Sequence, residues 1–428
     1  MRMILKIIGF LLIMSPVWGV PRSFDYVLSQ VQSESKGLKI ASLNVDVAVA
    51  SLDLQRAQMF PRVTITGQSA LSDAPGARLL SKLGQRSIAY SDMTPSQFND
   101  PGLEWMHSGA VALLVPVDSF GRQEILVSLN QVMIVESGLQ REQVHRDIRL
   151  SVGKWYGTWL IQRDYADNLE KLRKQLRSEM SGYQFRNAEN PVGYSGWLAY
   201  QVLDVAIETR LLAARQAQDI CRNQISAAGF SEENWEPESV SINGFIEKNF
   251  AAPAVFHAPI EVVLASANMK RSDYFAQFSE IGLAPQLSGF AVQSVNGGER
   301  DWGTGYQIGA FFSWEVLDAR QTHDVARAQY KADMSRLSLA EQQVSLGHYF
   351  DALQGNLTAS RQTILSLELS RKWMTQQAST AKTLYKTGSS PVVNWIEVLH
   401  QTALLLDQLL AARTNGLQAS VELQRFNP

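Results

Sequence analysis

The stretch FRNAENPV, Phe185 to Val192, is followed by LLAAR, Leu211 to Arg215, and near the C-terminus YKTGSSPV, Tyr385 to Val392, is followed by LLAAR again, Leu409 to Arg413. Each copy runs aromatic, base, a four-residue gap and Pro-Val, and the two prolines Pro191 and Pro391 stand 200 residues apart. Recurrence of one pattern at a fixed offset marks an internal repeat, so the fold is sought first as one unit used twice.

The prolines outline that unit. No proline lies between Pro116 and Pro191, or between Pro285 and Pro391. Proline inside a helix costs about 3 kcal/mol, so such clear runs are what long helices need. In the first run Val144, Ile148, Val152, Trp155 and Trp159 are spaced by three or four, as are Tyr165, Leu169, Leu172, Leu176, Met180 and Tyr183. In the second, Leu346, Phe350, Leu353, Leu357 and Ile364 continue this coiled-coil spacing. Each helix has room for roughly 65 residues, about 100 Å of rod.

Strand patterns precede both helices. Gly109-Ala110 stands ahead of Asp118 as Gly309-Ala310 stands ahead of Asp318. Tyr306, Ile308, Ala310, Phe312 and Trp314 alternate with Gln307, Gly309, Phe311, Ser313 and Glu315, a period of two with one apolar face. Val111, Leu113 and Val115 repeat it less cleanly. Earlier strands are expected at Pro61–Gly67 and from Pro285 to Val295, each after a helix, at Asp25–Gln58 and Pro259–Glu280.

The expected division is therefore a signal peptide over 1–19, a first repeat over 20–229, a linker over 230–254 and a second repeat over 255–428. The first repeat holds strands at about 60–72 and 106–117, a long helix at about 120–186 and a returning helix at about 192–227. The second holds strands at about 285–295 and 304–316, a long helix at about 319–386 and a returning helix at about 392–425. The fold class is mainly α with a β-barrel contribution.

Composition narrows the function. The chain of 428 residues is 45% hydrophobic, 19% charged and carries a formal charge of −2, which excludes a disordered chain and gives no basic patch for nucleic acid. Arg2 and Lys6 followed by the apolar run Ile7–Met14, Ser15-Pro16 and Val17-Trp18-Gly19 read as a secretory signal cleaved after Gly19, and no cysteine follows the cut to carry a lipid. The single cysteine, Cys221, makes no internal disulfide. No later stretch is apolar for 18 residues, so membrane insertion would have to use closed β-strands.

This pattern resembles the TolC-like outer-membrane efflux proteins over nearly the whole mature chain. The resemblance is carried by Leu384-Tyr385-Lys386-Thr387-Gly388 with Val393 to Leu399, by the Val117-to-Arg122 junction, and by the doubled order. It implies a homotrimer in the outer membrane of a Gram-negative bacterium, sharing a twelve-stranded barrel in lipid and a long α-helical barrel in the periplasm. It implies as partners a periplasmic adaptor of the membrane-fusion type and an inner-membrane pump, and a role as exit duct for small molecules or proteins. Four strands per chain agree, because an open sheet edge is not tolerated in lipid.

Within that resemblance Gly388, Pro391, Val392, Pro191 and Val192 fall at the periplasmic tip, where an adaptor would dock, with both prolines in the first turn of a returning helix. Glu397 falls where the family places a ring of acids at the closed pore, and Asn394, one turn earlier, stands where the pattern often has a second acid. Trp302, Tyr306 and Trp314 suit the membrane interface. The segment Leu71 to Leu103 is expected to cap the barrel outside or to form a receptor surface, and the linker to girdle the tube. Two rival readings stay open: a TolC-shaped envelope scaffold that conducts little, and a soluble periplasmic coiled-coil protein.

No catalytic, cofactor or metal site is expected. Gly303-Thr304-Gly305 precedes a strand and lacks the Lys-Ser/Thr ending of a phosphate loop. The six histidines show no ligand spacing. Trp155, Tyr156 and Trp159 read as a packing seam rather than a binding site.

Overall fold

The computed structural model describes residues 20–100, 102–118, 120–184, 190–232, 234–282, 284–316 and 318–427. The expected signal peptide and the residues Phe185 to Glu189 of the first quoted stretch lie outside the described residues. The chain runs β1 (Val20–Arg22), α1 (Phe24–Glu34), α2 (Lys36–Ala57), β2 (Arg62–Ser72), α3 (Pro75–Gly84), a 3₁₀ turn (Tyr90–Met93), α4 (Pro95–Asn99), β3 (Glu104–Val117) and α5 (Arg122–Met180). It continues through α6 (Pro191–Ala227), β4 (Trp235–Pro237), α7 (Ile242–Asn249), α8 (Ile260–Ile281), β5 (Gln286–Gly298), β6 (Trp302–Ser313), α9 (Ala319–Lys386) and α10 (Val392–Leu423), closing on a 3₁₀ turn (Gln424–Phe426).

The long helices lie within the proline-free runs, at 59 and 68 residues, and the first ends at Met180, short of the expected 186. Their starts share one device. The Asp118 carboxylate accepts the Gln123 backbone N–H at 3.1 Å, and the Asp318 carboxylate accepts that of Arg320 at 2.9 Å. Each aspartate thus satisfies a helix N–H that has no partner within the helix. The helix expected over Asp25–Gln58 is divided at Ser35, whose backbone leaves the helical region at ψ 114 and whose hydroxyl accepts the Leu38 N–H. The link expected between the last two strands, Asn296 to Gly303, shrinks to residues 299–301 because both strands extend further.

The chain forms two compact units, each taking pieces from both repeats. One comprises residues 42–139 and 263–341. Its centre is a four-stranded antiparallel sheet in the order β2-β3-β5-β6, with Ile65 opposite Val111 and Ala291 opposite Ile308. Alternation sends Val63, Ile65, Val111, Ala291, Ile308 and Phe312 to one face, and Thr64, Thr66, Ser108, Ser294 and Gln307 to the other. Both outer strands, β2 and β6, have one unpaired edge in a single chain. Both helices that follow strands, α5 and α9, leave from the same end of the sheet; α3, α4 and the 299–301 turn occupy the other.

The other unit comprises residues up to Ala41, 140–262 and 342–428. Its helices pack around two main cores. One gathers Phe24, Tyr156, Trp159, Trp235, Phe245 and Phe250, so the aromatic seam of α5 is buried and the linker helix α7 sits on it. The Tyr156 hydroxyl donates to the Arg22 carbonyl at 2.8 Å and accepts from the Glu238 N–H, joining β1, α5 and the linker. The second core gathers Leu169, Leu176, Ile207, Trp395, Leu399 and Leu406, which ties α5, α6 and α10 together.

No described helix is long and apolar enough to cross a membrane.

Candidate functional site

The two turns that join long and returning helices differ in construction. At the first, Asn190 caps α6 by accepting the Gly193 N–H at 3.1 Å, and Pro191 takes the first helical position, where an N–H is not needed. The Tyr183 hydroxyl reaches across the turn and donates to the Gly193 carbonyl at 2.8 Å. At the second, Gly388 adopts φ 73, a left-handed conformation that glycine takes without penalty. The Gly388 and Ser389 N–H groups donate to the Tyr385 and Leu384 carbonyls at 3.0 and 2.9 Å and so close α9. Pro391 is not in the first turn, as expected from its partner, but is the extended residue that precedes α10. The reason is the closed end of α9, which occupies Gly388 to Ser390 and delays the helix start to Val392.

The Pro-Val copies also face different ways. Val192 is 64% exposed, whereas Val392 is 4% exposed. Val392 seats against Gly196 of α6, where any β-carbon would overlap its side chain. Tyr385 stacks on Trp395 with ring planes 9° apart, and Trp395 is fully buried.

Asn394 and Glu397 lie one turn apart on α10, and both are exposed. The Asn394 amide donates to the Ser390 hydroxyl at 3.0 Å. The Glu397 carboxylate accepts from Gln401 at 2.7 Å and stands 3.9 Å from His400. In one chain this is a solvated face whose carboxylate has room for further partners.

Above these turns are polar ties that the sequence reading misses. Glu179 of α5 receives Lys382 and Lys386 of α9 at 2.5 and 3.0 Å. The Lys382 hydrogen bond holds its carboxyl below the ordinary glutamate value. Asp407 of α10 accepts from Arg210 of α6 at 3.0 Å and from the Tyr165 hydroxyl of α5. Burial, together with that bond to Asp407, pushes the tyrosine pKa up. Asp204 is held between Arg177 and Arg173, which keep its carboxyl far below the usual range. These ties join groups on four different helices, so no local motif announces them.

On the sheet, Trp302, Tyr306 and Trp314 are exposed. Trp302 opens β6, Trp314 follows its last residue, and the twelve steps between them leave both on the apolar face. At about 3.4 Å per residue and a tilt near 45°, they lie roughly 28 Å apart along the membrane normal, close to the thickness of a hydrocarbon core. Trp105, which the sequence reading does not single out, stacks with His107, and His107 with Trp302, across the sheet end away from the helices.

The segment between β2 and β3 folds into α3, the 3₁₀ turn and α4, pinned by buried charges. Asp92 accepts from Lys82 at 2.9 Å, from Arg300 at 2.6 and 2.7 Å and from the Ala89 N–H, and Glu104 pairs with Arg78. Arg300 above all holds the Asp92 carboxyl far below its ordinary value. Among the described residues no cluster of His, Cys, Asp or Glu is arranged to hold a metal.

No protein-family model matches the chain. Two curated relatives, both from Pseudomonas putida, are each 26% identical over 199 residues: the antibiotic efflux pump outer membrane protein ArpC and the toluene efflux pump outer membrane protein TtgC. The matched part covers 45% of this chain and 36% of each relative's length. Solved structures agree over far more of it. CusC superposes with a TM-score of 0.77 at 12% identity, covering 95% of this chain and 93% of its own. The Campylobacter jejuni outer-membrane channel CmeC gives 0.76 at 11%, covering 94% and 84%, and Vibrio cholerae VceC gives 0.74 at 11%, covering 94% and 95%. The chain has the fold of the TolC-like outer-membrane channels.

Proposed function

We propose that this chain is the outer-membrane exit duct of a tripartite efflux or secretion system. Three copies close one twelve-stranded barrel in the outer membrane, and their helices form the duct in the periplasm. The observation that carries this reading is the four-stranded sheet, with an apolar face bracketed by Trp302 and Trp314 and with both edges unpaired. In lipid those edges must be satisfied. Because four is even, copies set edge to edge keep the antiparallel alternation around a closed ring.

The duct performs no bond chemistry. A periplasmic adaptor docks at the turns around Pro191, Val192, Gly388, Pro391 and Val392, and an inner-membrane pump supplies the energy. Three Glu397 side chains surround the axis at the narrow end, with Asn394 one turn away. Gathered carboxylates in a constricted pore favour cations. Opening moves the second hairpin relative to the first and breaks ties such as Glu179–Lys382.

Planar-bilayer recording of the purified full chain tests this. A conducting trimer is expected, with cation preference reduced in Glu397→Ala. A protein that stays in the soluble fraction after osmotic shock, or a membrane trimer that never conducts, would overturn the reading.

A further inference from the structure

We infer that α3, the 3₁₀ turn and α4 form a lid over the outer mouth of the duct, latched shut by Arg300 on Asp92 and lifted when cargo leaves; this rests on the barrel of the proposed function and adds a gate at the end away from the long helices. Three observations carry it, all within the unit that holds the sheet.

The lid lies on the polar face of the sheet. By strand alternation Glu104, Asn296, Gly298 and Gly303 share the face of Ser108 and Ser294. The end of α3 rests on these residues. A β-carbon on Gly303 would overlap the Gly84 carbonyl, one on Gly298 would overlap the Gln85 side chain, and one on Gly84 would stand 3.1 Å from the Asn296 β-carbon. Glycine at such strand positions lets another backbone come close. Trp105 and Trp302, on the apolar face at the same end, stay exposed. With the apolar face in lipid, the polar face is the inner wall. A ring of twelve tilted strands has a radius of roughly 13 Å, and a helix with its side chains is roughly 10–12 Å across, so one such helix on the inner wall of each copy fills the mouth.

The helix is seated by its polar side. Arg78, Lys82 and Gln85 follow one another at spacings of four and three; Arg78 pairs with Glu104, Lys82 lies 2.9 Å from Asp92 and 3.8 Å from Glu104, and both Lys82 and Gln85 are buried. Leu80 and Leu83 point the other way, and Leu80 is 70% exposed. A surface helix ordinarily turns its apolar side inward. Polar contacts can be exchanged for hydrogen bonds to water, so a helix seated in this way can lift off the sheet without opening an apolar core. In the shut ring the Leu80–Leu83 stripe faces the same stripe of the other two copies, which shields it from water.

The latch joins two hairpins. The lid leaves β2 after Ser72 and returns to β3 at Glu104, so both its attachments belong to one hairpin, with Gly102 at φ 72 beside the return. Arg300 belongs to the turn between β5 and β6 of the other hairpin. It donates to Asp92 at 2.6 and 2.7 Å and to the Ser87 carbonyl at 3.3 Å. The lid is thus hinged on one hairpin and fastened to the next.

The test uses the full chain in a Cys221→Ser background. Gly84→Cys with Asn296→Cys brings two β-carbons close to disulfide separation, and oxidation is expected to cut planar-bilayer conductance about tenfold, with recovery on reduction. Arg300→Ala is expected to raise conductance, as is Leu80→Glu with Leu83→Glu, which charges the stripe and leaves the latch intact. A locked variant that conducts like its reduced form would overturn the lid. Labelling gives a readout that needs no current. Asn296→Cys, covered by Gly84 in the shut state, is expected to react with an impermeant maleimide about tenfold faster when Arg300→Ala is added. Equal rates would overturn the latch. If the unmodified chain forms a membrane trimer that never conducts, the duct reading fails, and the labelling rates still decide whether Arg300 holds the segment down.

Discussion

The two helical hairpins share one ion pair and treat it in opposite ways. In the first repeat Arg215, the last residue of its LLAAR, reaches back to Glu170 at 2.7 Å; in the second, Arg413 reaches back to Glu368 at 2.8 Å. Both pairs join residues 45 apart, so the repeated motif is a returning helix fastened to its own long helix at a fixed level. Yet the Arg215 side chain is 62% exposed and that of Arg413 is 13% exposed, because Arg413 also pairs with Asp164 of the first repeat. Contacts inside a repeat were inherited by both copies. Contacts between repeats belong to the second, whose returning helix α10 is packed into the core while α6 keeps an uncovered stripe. Equal sequence therefore predicts equal geometry and unequal energy.

The tryptophans put this contrast to its most severe test. Trp395 and Trp197 each stand 18 residues ahead of the arginine of their own LLAAR. Trp395 is fully buried in the core between the hairpins, whereas Trp197 packs at its border. Trp395→Ala is expected to cost about 3–5 kcal/mol per copy, as large-to-small core changes do, and Trp197→Ala less than half of that. Thermal unfolding followed by circular dichroism measures both. Equal losses would mean the hairpins are energetically equivalent.

Next in size is the notch at Gly196. Gly196→Val forces Val392 aside and is expected to cost about 1–3 kcal/mol, recovered in large part when Val392→Ala is added. Val192→Ala, at the solvated counterpart, should stay within about 0.5 kcal/mol. A double-mutant cycle at Gly196 and Val392 with no coupling would deny that the second hairpin is keyed into the first.

How much of this is readable in the residues depends on the kind of contact. The α9 boundaries, Ala319 to Lys386, match the expected range because a proline-free run with an acid-capped start and a glycine-closed end is a local property. The sheet face is legible from the alternation around Tyr306 and Ile308. Analogy with Pro191 puts Pro391 one position too far into its helix, since the closing turn at Gly388 competes for the same residues. The cap over Leu71 to Leu103 cannot be read at all: Lys82, Asp92, Glu104 and Arg300 meet only after four strands have paired. Periodicity also cannot say whether a stripe is covered. Leu169 and Leu176 recur at heptad spacing as Leu337 and Val344 do, and only packing separates the buried pair from the exposed one.

A smaller effect separates the two arginines. Arg413→Ala removes a largely covered cation from two carboxylates and is expected to cost about 1–3 kcal/mol, less changed by salt than a solvated pair. Arg215→Ala breaks a solvated pair and is expected to cost no more than about 0.5 kcal/mol, vanishing at high ionic strength. Unfolding midpoints at low and high salt decide between them, and a salt-sensitive Arg413 would place its pair at the surface.

The smallest expected effect is a pH dependence at the tie between hairpins. Lys382 and Lys386 depress the Glu179 carboxyl, so in the folded protein it holds its charge at a lower pH than in the unfolded chain. A depressed carboxyl stabilises the fold fully above its unfolded value, near 4.3, and loses that contribution as pH falls through the folded value. The first repeat has its own depressed carboxyl, Asp204, but its partners Arg173 and Arg177 lie in the same hairpin. Acid should therefore loosen the tie between hairpins through Glu179, and the first hairpin internally through Asp204. Glu179→Gln is expected to lower stability at pH 7 and to flatten the loss between about pH 5 and pH 3, with the duct proposed above opening more readily at neutral pH. Asp204→Asn should flatten the same acid limb without changing the opening. If the two variants move conductance alike, the distinction between contacts within a repeat and contacts between repeats does not govern the gate.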